Sequence, residues 1–188
     1  NLEQVVGGSL LEPELSEDGS IQPPAEASHM NAVTAGLAGL IAVGESLEVT
    51  TGNLDAAVWT SADGREWTRV VDEPGVLGDA ASPFGDQSEQ VISDVVASPH
   101  GVVAVGTDGV LSDHDAAIWM SEDGLTWQRV AHDAAVFGGE GDQTIKAVAQ
   151  LDGQLIAVGE SAQRATVWMS YDGMQWAKAE VSDTYSGQ

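Results

Sequence analysis

The feature that most restricts how this chain can fold is a sentence of fifteen residues spelled three times. "AAVWTSADGREWTRV" at 56–70 returns as "AAIWMSEDGLTWQRV" at 116–130 and as "ATVWMSYDGMQWAKA" at 165–179. Each copy is an apolar run, a polar turn and a second run. The pairs Asp63-Gly64, Asp123-Gly124 and Asp172-Gly173 are hairpin signals, because Gly accepts positive φ and Asp can bond its own neighbouring backbone. The flanking strands carry Trp59 and Trp67, Trp119 and Trp127, Trp168 and Trp176, which are all six tryptophans of the chain. None is left over for a separate ligand-stacking role.

A second signature precedes each hairpin: "GLIAVGE" at 39–45, "GVVAVGT" at 101–107 and "GQLIAVGE" at 153–160. Before that lies a short apolar run beginning at Met30, Ile92 and Ile145. Each unit therefore reads as four short strands, a to d, over about 28–74, 90–134 and 143–182. Four-stranded units recurring every few tens of residues predict an all-β chain of propeller-type blades. Three such repeats make a partial propeller or half of a ring. Residues 1–27, with six acids and no base, read as an acidic N-terminal extension whose "QVVGGSLL" patch is expected to dock on a neighbour as an added strand, the alternative being a flexible arm. Residues 183–188 read as a tail. The chain begins at Asn1, not at methionine, which leaves room for a removed leader or upstream region.

Spacing separates two faces. Val33 to Gly44, Val95 to Gly106 and Val148 to Gly159 are each 11 apart, and paired tryptophans are always 8 apart. The b-to-c spacings, Gly44 to Trp59, Gly106 to Trp119 and Gly159 to Trp168, are 15, 13 and 9, and the d-to-a spacings from Trp67 to Val95 and Trp127 to Val148 are 28 and 21. In an up-and-down blade the constant ab and cd turns emerge on one face and the variable bc and da loops on the other. Function tends to sit on loops placed by a rigid scaffold, so the bc/da face is the expected interaction surface.

The repeated S-x-D-G-x-x-W turn resembles the Asp-box, or bacterial neuraminidase repeat, of sialidases, sortilin-type receptors and other β-propellers. It is a shortened variant, with Gly directly after Asp and Trp one position sooner. The resemblance implies that Ser61, Asp63 and Trp67, Ser121, Asp123 and Trp127, and Ser170, Asp172 and Trp176 are fold determinants of a turn between the third and fourth strands. Sialidase chemistry needs an arginine cluster and a tyrosine. Arg65, Arg69 and Arg129 fall within or just after the box hairpins, Tyr171 lies in a box turn and Tyr185 in the tail, so that activity is not expected.

Other chemistry finds little support. The chain has no cysteine, which excludes disulfides and thiol catalysis. His29, His100, His114 and His132 lie in separate segments without zinc spacing and read as turn or surface residues. "SDHDAA" with Asp113 and Asp115 and "GGEGDQ" with Glu140 and Asp142 offer oxygens to calcium without completing a loop site. No cofactor is expected, calcium being the one alternative. No run of 18 apolar residues could span a bilayer, and a net charge of −24 repels nucleic acid.

The acids concentrate where the variable loops lie. Asp86, Asp108, Asp113, Asp115, Glu140 and Asp142 head the candidate interaction face, with Arg164 the sole base among the bc and da segments. These observations together point to a non-enzymatic binding or assembly module, a subunit of an extracellular or cell-surface complex that binds a protein partner, itself, or a basic or cationic ligand. A glycan-processing, sialidase-like enzyme or a fragment of one is the alternative. Three blades are fewer than a closed propeller uses, so bare tryptophan surface is expected on the first and third units, covered by dimerisation into a ring or by other chains.

Overall fold

A computed structural model of the chain describes residues 26–37, 39–48, 52–71, 76–77, 88–110 and 113–181. Residues 1–25 of the expected 1–27 extension, Asp86 and the tail lie outside the described residues. Twelve strands form three four-stranded antiparallel sheets, each in sequence order. The first holds β1 (Glu26–Gly36), β2 (Gly39–Glu48), β3 (Asn53–Ser61) and β4 (Thr68–Arg69). The second holds β5 (Glu89–Ser98), β6 (Gly101–Val110), β7 (Asp113–Ser121) and β8 (Gln128–Arg129). The third holds β9 (Gln143–Leu151), β10 (Gln154–Ser161), β11 (Arg164–Ser170) and β12 (Trp176–Glu180). These are propeller-like blades, with β5 packed between β1 and β9 so that the first strands of successive sheets meet.

Burial explains why the b strands are apolar without alternation. In β6, Val102 and Ala104 point into the core shared with the first sheet, whereas Val103 and Val105 point into the core shared with the third. A strand covered on both faces has no polar side to write into its sequence. The same holds for β7, where Ala117 and Trp119 face one way and Ala116, Ile118 and Met120 the other.

The glycine of each "AVG" is fixed by a bulge. The a strand carries one extra residue opposite b, at Asn31, Ser93 and Lys146, where the register slips. The a-strand backbone is thereby pushed onto its partner. A Cβ on Gly44, Gly106 or Gly159 would lie 1.9 Å from the carbonyl oxygen of His29, Val91 or Thr144. No residue but glycine fits there without unmaking the bulge. The side chain at the bulge then reaches the residue after that glycine: Asn31 donates to Glu45 (2.6 Å) and Lys146 pairs with Glu160 (2.8 Å).

The tryptophans define a direction through the fold. Trp119 and Trp127 of the second sheet pack in the core with the first, and Trp168 and Trp176 of the third pack in the core with the second. Trp59 lies on the opposite side of the first sheet, over Ala42 and Ala57 and beside Trp67. The expected bare tryptophan surface is absent from the third sheet, where Trp168 is fully buried, and Trp59 is only 8% exposed.

A candidate functional site on the bc/da face

The constant face is built by the box turns. Ser61, Ser121 and Ser170 Oγ accept the amide hydrogens of Gly64, Gly124 and Gly173 at 2.8, 2.8 and 2.9 Å. Asp123 Oδ1 accepts the N–H groups of Leu125 and Thr126 at 2.8 and 2.7 Å, and Asp172 Oδ1 those of Met174 and Gln175 at 2.9 and 2.7 Å. Asp63 accepts from Arg65 at 2.9 Å. The amides of Thr126 and Leu125 stabilise the ionised form and hold the Asp123 carboxyl down to about 2. Trp127 and Trp176 close the turns, donating Nε1–H to the carbonyls of Gly124 and Gly173. The oxygens of these acids are turned onto their own backbone.

The opposite face carries the ionisable cluster, centred where the second sheet meets the third. A register pair on β6 and β7, Asp108 and Asp115, divides into two environments. Asp108 is fully buried; its Oδ2 takes the Arg129 Nη1 at 2.8 Å and its Oδ1 the amide of Gln90 at 3.1 Å. Arg129 lies over the Trp119 ring, 4.6 Å from its centroid, so the guanidinium is held by a carboxylate and an aromatic face together. Although Arg129 follows the box in sequence, strand β8 carries it back toward the variable face, out of the position its place in the sequence implies. Asp108 is sealed and contributes no free negative charge to the surface.

Asp115 sits at the edge of that seal. Its Oδ2 stands 3.3 Å from His132 Nε2, and its side chain keeps 11% of its surface. Burial raises its carboxyl above the usual carboxylate range, against the pull of His132. Around it, His114 lies between Asp142, at 3.2 Å from Nδ1, and Glu89, at 3.8 Å from Nε2. Asp113, Glu140 and Asp142 are exposed along the same rim. Gln143 is fully buried; its amide donates to the carbonyls of Glu140 and Gly141, and its Oε1 has no hydrogen-bond partner. Among the described residues no group of three His, Asp or Glu side chains is arranged to hold a metal ion.

The da loops are anchored more firmly than their variable length implies. Val76 and Val136 carbonyls accept the Nε1–H of Trp119 and Trp168 at 3.1 and 2.8 Å. The next residues, Leu77 and Phe137, are buried in the two inter-sheet cores. The signal is in the sequence, since Val76 and Val136 each stand 9 residues beyond the second tryptophan of their box. Only the second half of each loop varies.

No protein-family model matches the chain, and no curated protein is similar to it in sequence. Solved structures share its fold. A structure from the GH130 family of mannoside phosphorylases, described as containing glycoside hydrolases that target β-1,2 mannosidic linkages in Candida mannan, superposes with a TM-score of 0.55 at 14% identity, over 83% of this chain and 50% of that one. A glycosyl hydrolase from Bacteroides ovatus superposes with a TM-score of 0.52 at 14% identity, over 83% and 49%. The chain thus spans about half the length of these neighbours. The expectation that it is not an enzyme is corrected by this finding, because the scaffold read as that of a binding module is one that glycoside hydrolases and phosphorylases use. Fold alone left both readings open in the sequence, and the absence of a sialidase arginine cluster excluded only one of the chemistries such a scaffold carries.

Proposed function

We propose that the chain is part of a glycan-processing propeller enzyme, with its proton-transfer chemistry on the bc/da rim between the second and third sheets. The observation that carries this reading is the arrangement of four-stranded sheets shared with the mannoside-active structure at a TM-score of 0.55. Cleaving a glycosidic bond needs an acid to protonate the leaving oxygen and a second carboxylate to stabilise or attack the sugar. Asp115 suits the first role, since burial keeps its proton to higher pH than an ordinary aspartate would. His132, 3.3 Å away, orients the carboxyl. Exposed Asp113 and Asp142 supply further carboxylates on the same rim.

The test is turnover of fluorogenic glycosides and of mannose-containing oligosaccharides, with and without inorganic phosphate, by the protein and by Asp115→Asn. Expected is hydrolysis or phosphorolysis in the parent and a loss of kcat of about a hundredfold or more in the variant, with the alkaline limb of the pH profile, where the acid would lose its proton, removed. Absence of turnover across the panel, or full activity of Asp115→Asn, would refute the assignment.

A further inference from the structure

The six bases of this chain face thirty acids, so a base without an acidic partner requires explanation. Lys146 pairs with Glu160 and Arg129 with Asp108. Arg164 and Lys178, by contrast, line one cleft with Ala135, Ser161, Thr166 and Val181, and among the described side chains no acid contributes to that lining. Both are exposed. Among the described residues the Arg164 guanidinium forms no ion pair, and Lys178 Nζ donates only to Ser161 Oγ at 2.8 Å.

The repeat shows that this is a local reversal of charge. Counting from the bulge glycines Gly106 and Gly159 along the paired strands, Ser161 occupies the place of Asp108, Arg164 that of Asp115, and Lys178 that of Arg129. The second sheet therefore places two carboxylates beside one cation, and the third replaces both carboxylates and keeps the cation. Arg164, Thr166 and Lys178 share the face of the sheet that carries Trp168, because Trp168 and Lys178 are register partners and β11 alternates.

Arg164 is also held in place. Ser161 and Arg164 are joined by a two-residue turn in which Ala162 and Gln163 have φ of 49° and 64°, a left-handed conformation uncommon for residues other than glycine. The Ala162 amide donates to the Asp142 carbonyl at 2.9 Å, tying the turn to the residue just before β9 of the same sheet. Thr166 Oγ1 donates to the Arg164 carbonyl at 3.0 Å. The tight turn fixes the backbone that carries Arg164 into the cleft that Lys178 also lines.

We propose that this cleft binds an oxyanion, the carboxylate, sulfate or phosphate group of a small ligand. The planar fork of Arg164 pairs two of its oxygens, Lys178 supplies a second charge, and the Ser161 hydroxyl, already accepting from Lys178, is free to donate its own proton. The site lies on the outer strands β11 and β12, at the end of the sheet nearest the Asp115 rim. That the anion is carried on a sugar rests on the function proposed above; the anion site itself does not.

The experiment is titration of the protein with inorganic sulfate, inorganic phosphate and glucuronate, followed by calorimetry and by chemical-shift changes of the Arg164 and Lys178 side chains at low ionic strength. Arg164→Gln and Lys178→Gln, both exposed, are compared with Lys146→Gln, whose lysine lies on the other face of the sheet. Expected is saturable binding of at least one anion, weakened about tenfold or more by each cleft variant and unchanged by Lys146→Gln. The preferred anion among the three separates a uronate from a sulfate or phosphate ester. No saturable binding, or an equal loss in all three variants, would overturn the proposal. Because no turnover is measured, failure of the glycan reading leaves this result standing, and the reverse also holds.

Discussion

Replacement of Asp123 by alanine isolates the energetic part played by the box turn. Its Oδ1 accepts two backbone amides, at 2.8 and 2.7 Å, and the Ser121 hydroxyl at 3.1 Å, while Oδ2 accepts Thr126 Oγ1 at 3.2 Å. Hydrogen bonds to a charged group contribute roughly 1.5–3 kcal/mol when buried. This carboxylate is almost wholly in solvent, and water can replace it at each donor, so the low end applies: about 1–2 kcal/mol for the whole set. The depressed pKa gives an independent route. A fall from 3.8 to about 2 corresponds to about 2.4 kcal/mol at full value, and screening at an exposed site brings it to about 1–1.5 kcal/mol. The folded pKa lies below the unfolded one, so this stabilisation is present above about pH 4 and fades as pH falls through about 2. Urea melts of the parent and of Asp123→Ala at pH 7, 4 and 2.5 should show a gap that narrows with acid. Asp123→Asn, which keeps an acceptor and loses the charge, should show a smaller gap with little pH dependence. A parent-to-alanine gap as large at pH 2.5 as at pH 7 would refute the charge-assisted account of the turn.

Three further outcomes follow from particular contacts, each read by denaturant melts. Gly106→Ala should destabilise by about 3 kcal/mol or more, because the added Cβ meets the Val91 oxygen at 1.9 Å, whereas Gly141→Ala, with positive φ but open space, should cost only about 1–2 kcal/mol. Arg129→Met should cost about 3–5 kcal/mol by taking the guanidinium from buried Asp108, while Asp113→Lys on the exposed rim should stay within about 0.5 kcal/mol of the parent. Trp168→Phe should cost about 1–3 kcal/mol, in part through the stranded Val136 carbonyl, and should loosen the following loop, seen as faster amide exchange at Val136 and Phe137.

The strands and their order were legible because each repeat says the same thing three times. The Asp-Gly pairs fixed the turns, and the constant 11-residue and 8-residue spacings fixed the hairpins. What resisted reading was any side-chain contact between segments distant in the chain. Asp108 and Arg129 are 21 residues apart, and nothing local in either segment announces that β8 returns the guanidinium to β6. Likewise His132 meets Asp115 only because the loop after β8 folds over the end of β7. Enzyme against non-enzyme was undecidable from the motifs, since the residues that repeat are those that hold the scaffold. The residues to which chemistry is proposed differ from sheet to sheet, as Asp115 and Arg164 do at equivalent places. The departures from the repeat carry the functional information.

The repeat also fixes what the open edge of the third sheet can accept. Val43, Val105 and Val158 are equivalent, each one place before the bulge glycine; the first two are fully buried and the third is 44% exposed. Val43 and Val105 are covered in cores that contain the tryptophans of the following sheet. The face around Val158, with Val167 opposite it and Ile156 opposite Met169, is therefore shaped as the socket of that same contact and not as a surface for its own copy. Self-pairing across a two-fold axis at this face would set aliphatic against aliphatic with no ring to fill the gap. The contact used twice inside the chain is heterologous, tryptophan face to aliphatic face. Anything that continues it, whether a further sheet or another molecule, must bring aromatic rings to the face around Val158.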